Sequence, residues 1–184
     1  MRLTLLAAAI ALGLAAPALA QTTAPPATAG PSGKQELPPN VTQNDDWFVA
    51  CQDVTADGQT VEVCEMQQVL EETQSGKAFI RISVIYPRDS AKPVLRILTP
   101  LGVLLQRGLT MQIDKGQEMV LPFAICIGKP PACIVEGVME ESVVNAMKRG
   151  NGGTLRLVFG QNQTVNAPFS LAGFTKSINA IAPK

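Results

Sequence analysis

The chain contains no histidine. That single absence removes the usual general base, the usual physiological-pH switch and the commonest metal ligand together, and most hydrolase templates go with them. A C-x-x-C spacing is missing as well. The four cysteines, Cys51, Cys64, Cys126 and Cys133, therefore read as structural groups rather than a redox centre. No surplus of positive charge is present, since 15 Lys and Arg balance 15 Asp and Glu. Nucleic acid is accordingly not an expected partner. Beyond the first twenty residues there is no run of eighteen apolar residues, so no membrane-spanning helix is expected in the remainder.

What is present begins with an address. Arg2, the apolar stretch from Leu3 to Ala16, Pro17 and the small-residue pattern Ala18-Leu19-Ala20 form a secretory signal. Its core of roughly fourteen apolar residues is too short to span a bilayer comfortably. Gln21, not cysteine, follows, which argues against a lipid anchor. Residues 21–43 are rich in proline, alanine and threonine and read as an extended tail, either a spacer or a carrier of a binding motif. Residues 44–184, about 140 of them, suffice for one domain with a sizeable core. The address places that domain in the periplasm or outside the cell.

Within the domain, apolar alternation predicts short strands throughout. Trp47, Phe48 and Val49 open the first, with the single tryptophan as a core anchor or, alternatively, a ligand-stacking platform. Asp57-Gly58 is a favoured two-residue hairpin turn, and Cys51 and Cys64 stand equally far from it on either side. Counting outward makes them a non-hydrogen-bonded pair with Cα atoms about 4.5 Å apart, so they should bridge. Strands follow at Phe79 to Tyr86 and in the run from Leu95 to Asp114, around which the rest is expected to pack. There Val103 to Leu105 reads as a strand covered on both sides, Gln106 to Gly108 as a turn, and Leu109, Met111 and Ile113 as one buried face.

A strand from Met119 to Ile125 contains Pro122, which implies an edge or a bulge. Pro130 does not fit a tight primed turn, so the loop from Ile127 to Ala132 is expected to be longer than a regular hairpin. Pairing Cys126 with Cys133 is the preferred connectivity, although four cysteines allow three. The period then changes. Met139, Val143 and Met147, with acidic residues at one end and Lys148-Arg149-Gly150 at the other, predict a short helix over 139–149. Strands recur over 154–159 and 164–167, and Ser170 is placed to cap a last turn carrying Leu171, Phe174, Ile178 and Ile181. About eight strands with one or two short helices and no βαβ rhythm predict an all-β antiparallel sandwich.

Several ordered motifs, Trp47-x-x-x-Cys51, Cys64-Glu65-Met66, Thr99-Pro100-Leu101-Gly102-Val103-Leu104-Leu105, Gly108-Leu109, Pro122-Phe123 and Ser170-Leu171-x-Gly173-Phe174, resemble the invasion-associated locus B family of secreted alphaproteobacterial proteins. Ala132 departs from the glycine expected before the last cysteine. The resemblance implies an immunoglobulin-like β-sandwich with two disulfides, and it brings no catalytic residues and no cofactor. The leading functional expectation is a non-enzymatic domain that binds an envelope component or a host surface. Its candidate contact loops are Gln106, Arg107 and Gly108, and Lys129, Pro130 and Pro131. Two alternatives stand beside it: a structural envelope-stress protein without a ligand, and a carboxylate enzyme using Asp114, Glu136, Glu140 or Glu141.

Overall fold

The computed structural model describes residues 37–56, 58–71 and 78–183. The expected leader, most of the tail, Asp57 and residues 72–77 lie outside the described residues. The first strand, β1 (Val41–Asn44), pairs antiparallel with the start of β2 (Trp47–Ala56). It therefore begins inside the stretch read as tail. Ladder pairing uses backbone groups alone, so this strand needed no apolar pattern to form.

β2 continues into β3 (Gln59–Glu71), with Gly58 at φ 75° in the turn between them. Ala56 faces Gln59 and Cys51 faces Cys64, and the two cysteines are joined by a disulfide with Cα atoms 4.0 Å apart. This is the register that the turn position implied. β4 (Ala78–Ile85) buries Ile80, Ile82 and Val84, and β5 (Val94–Thr99) buries Leu95, Ile97 and Thr99. Both follow the period of two.

Val103 to Leu105, by contrast, is not a strand. Val103 makes one isolated bridge to Phe159, and Leu105–Arg107 is a single 3-10 turn with Leu105 half exposed. Gly102 and Gly108, at φ 95° and 65°, break the extended backbone on both sides. The apolar run marks a crossing between sheets, and only Val103 is buried by it.

β6 (Leu109–Ile113) buries Leu109, Met111 and Ile113. The segment read as one strand around Pro122 is two: β7 (Met119–Leu121) on the edge of one sheet and β8 (Phe123–Gly128) on the edge of the other. Pro122 sits where the chain changes sheets, a place where its missing N–H costs no ladder bond. β9 (Pro131–Val138) pairs with β8, Gly128 facing Pro131 and Cys126 facing Cys133, with a register shift between Phe123 and Ile125. The longer loop expected here is absent. Lys129 and Pro130, joined by a cis peptide, make the two-residue turn between Gly128 and Pro131, and Cys126 and Cys133 are bonded as preferred.

The helix α1 (Glu141–Arg149) follows, with Met147 buried and Lys148 and Arg149 in its last turn. β10 (Gly152–Val158) and β11 (Thr164–Ser170) form the final hairpin, and α2 (Phe174–Ile181) closes the fold. Ser170 does not cap α2. It ends β11, and its hydroxyl accepts the Ala172 N–H at 3.1 Å. Gly173 at φ 84° holds the cap position, because a Cβ there would overlap the Asn44 carbonyl.

Seven strands form one sheet, in the order β1-β2-β3-β4-β5-β9-β8, and four form the other, in the order β11-β10-β6-β7. Every pairing is antiparallel. The inner faces meet in one apolar cluster that also takes in Met139, Met147, Leu171, Phe174, Ile178 and Ile181. This is the expected antiparallel sandwich with two short helices, built from more strands than the sequence pattern suggested. Glu36–Lys184 is one compact unit.

Candidate functional site

The two loops singled out in the sequence stand at different places. Gln106 and Arg107 are exposed, but Gly108 is buried, close against the Leu121 carbonyl. Lys129, Pro130 and Pro131 are all exposed at the β8–β9 turn. Among the described residues no hydrogen bond or ion pair joins the two loops.

The four carboxylates considered as acid or base are also not brought together. Glu136 pairs with Arg96 at 2.6 Å and Glu140 with Lys92 at 3.1 Å, both on the surface. Asp114 accepts backbone N–H groups of Asn151 and Gly152 at 3.1–3.3 Å, which holds the turn before β10. Glu141 lies in the first turn of α1, where a negative charge suits the dipole. The grouping of Cys51, Glu62 and Cys64 has the composition of a metal site. Its two sulphurs are spent in the disulfide.

What the fold does bring together lies between the end of β3 and the outer edge of β11. Gln68 on β3 is buried. Its Nε2 donates to the Asp46 carbonyl at 3.1 Å and the Ser170 carbonyl at 3.3 Å, and its Oε1 accepts the Ser170 N–H at 3.0 Å. Trp47 Nε1 donates to the same Ser170 carbonyl at 3.0 Å, while its ring meets Phe174 edge-on at 5.2 Å. One side-chain amide thus does for the last residue of β11 what a neighbouring strand would do.

Beyond Ser170 that edge is open. An open groove of about 820 Å³ runs along it, with Leu70, Phe159, Val165 and Phe169 among its walls and Asp45, Asp46 and Glu71 among its polar residues. Among the described residues lining it, none is basic. The same bias holds along the chain, for every charged residue from Glu36 to Glu72 is acidic. The three ion pairs among the described residues all lie outside this stretch. No motif in the sequence announced the groove, because its walls come from segments about a hundred residues apart. The Asp45-Asp46 pair was visible only as the start of the domain.

A family model described as invasion associated locus B (IalB) protein matches residues 47–182. The chain belongs to the invasion associated locus B family. The match covers the fold from Trp47 through α2, so both disulfides and most of the groove lie within the IalB region, while Gln43, Asp45 and Asp46 of the groove precede it. Among solved structures, the invasion associated protein B from Bartonella henselae is similar at a TM-score of 0.64 and 22% identity. That likeness covers 77% of this chain and 93% of the other, and it carries the IalB fold. Among curated proteins none matches.

Proposed function

We propose that this member of the family is a non-enzymatic binding domain that acts outside the cytoplasm, on an envelope component or a host surface. The observation that carries the reading is the open, apolar-walled groove beside an uncapped strand edge. A volume of this order falls within the range of ligand sites, and sheet edges are a recurring place for peptide docking. Two further features support it. The signal-like leader and two bridged cysteine pairs suit an oxidising compartment. The carboxylates that could have served an enzyme are committed to surface ion pairs, a turn and a helix start. Gln106 and Arg107, with Lys129, Pro130 and Pro131, form secondary contact regions in this reading.

Photo-crosslinking in the producing cell tests it, with a photoreactive residue placed in turn at Val165, Arg107, Lys129 and, as an exposed control outside the groove lining, Glu118. A discrete adduct at Val165 that is missing at Glu118 is the expected result. Absence of adducts at all positions would favour a structural envelope protein with no ligand.

A further inference from the structure

We propose that the groove takes an extended peptide carrying lysine or arginine, added as a further strand on the outer edge of β11. The inference rests on the binding reading above and names the class of partner.

The alternation of β11 fixes which backbone groups are available. Leu171 N–H bonds to Asn151 and Phe159 N–H to Gln163, so in the β10–β11 hairpin the odd-numbered residues of β11 face β10. Thr164, Asn166, Pro168 and Ser170 therefore present their backbones outward. Gln68 and Trp47 already satisfy Ser170, and Pro168 has no N–H to offer. Asn166 is left with both its N–H and its carbonyl turned to the groove, without a partner among the described residues, and Thr164 lies one outward step away.

Two outward residues at that spacing are the repeat of an antiparallel ladder. Proline and the glutamine clasp guard one end of the edge, but among the described residues nothing of the kind covers Thr164 to Asn166. Exposed edges are normally blunted by charge, proline or a covering element. This one is blunted over half its length.

The walls decide the rest. Leu70, Phe159 and Val165 offer apolar surface to alternate side chains of an added strand. Asp45, Asp46 and Glu71 offer negative charge, with no cation among the described residues of the lining. An acidic or phosphorylated partner would meet only repulsion there. An apolar partner without charge would leave the three carboxylates unanswered, and a basic extended segment answers both features. The acid-only stretch from Glu36 to Glu72 adds a field of the same sign over a longer range, which steers a cationic chain toward the groove.

The test uses the full processed chain and two fluorescein-labelled octapeptides, one alternating lysine with valine and one alternating glutamate with valine, followed by anisotropy. The lysine peptide should bind, more weakly as salt is raised, and the glutamate peptide should not. The triple variant D45N/D46N/E71Q should lose about tenfold or more in affinity, the scale on which complementary charges act. N166P, which removes the outward N–H without touching the β10 ladder, should also weaken binding. Equal binding of the two peptides, or no binding of the lysine peptide to the unaltered chain, overturns the proposal. These arms need no variant to fold. If crosslinks at Val165 persist while the lysine peptide fails, the groove binds something else and only this inference falls. Loss of the crosslinks sinks the binding reading itself.

Discussion

Two residues at the sandwich's open end carry more of the structure than their types suggest. Gln68 is a buried amide whose three hydrogen bonds tie β3 to Asp46 and to the end of β11. Replacing it with leucine keeps most of the volume and leaves those backbone groups unpaired away from water. Q68L should cost about 1–3 kcal/mol, read as a lower urea midpoint with an unchanged slope. Gly173 is the second. G173A demands a positive φ of alanine and drives a methyl into the Asn44 carbonyl. It should destabilise by about 3 kcal/mol or more, or prevent soluble expression.

A third prediction concerns pH. Glu118 meets Arg156 through two bonds at 2.9 and 2.6 Å, and the hydrogen bond to the guanidinium holds its carboxyl below the usual glutamate range. A lowered folded-state pKa means the pair contributes fully above the ordinary glutamate pKa, and its contribution disappears as pH falls through the folded value. An NMR titration of the Glu118 carboxyl carbon should show a midpoint below that of a model glutamate, and R156Q should return it to normal.

At the scale of elements, the first hairpin was legible because its arithmetic is local. A turn signal and two cysteines fix each other, and the register Cys51–Cys64 follows. The helix α1 was legible through its period and its terminal charges. The misreadings share a cause. Apolar runs such as Val103 to Leu105 look like buried strands whether they pair in a sheet or cross between two, and periodicity does not encode which. Pro122 was recognised as an edge residue, but the change of sheet that it marks depends on partners far away in the chain.

The two bridges should also differ in effect. In the chain-entropy account, C51S/C64S removes about 3 kcal/mol of stability and C126S/C133S somewhat less, because the second loop is shorter. Denaturant unfolding of the two double variants checks the order. Both hairpins are held by ladders as well, so each variant should retain the strand signature in far-ultraviolet circular dichroism.

At the scale of the whole domain, the fold class could be read from strand rhythm and turns, whereas the candidate site could not. Asp45, Leu70 and Asn166 are brought to one groove only by the packing of two sheets. The loops that sequence reasoning favoured were chosen for position and composition. One of their residues, Gly108, proves to be buried where the chain presses on β7. A balanced total charge likewise concealed how unevenly that charge is laid out.

The central claim is that this sandwich works by holding a partner along its open side. Amide hydrogen exchange of the full chain, measured alone and with detergent-solubilised envelope from the producing cell, tests it most directly. The account predicts slowed exchange over 45–48 and 164–170, with α1 unchanged. Exchange in those two segments that is identical with and without envelope, or protection confined to α1, would contradict it.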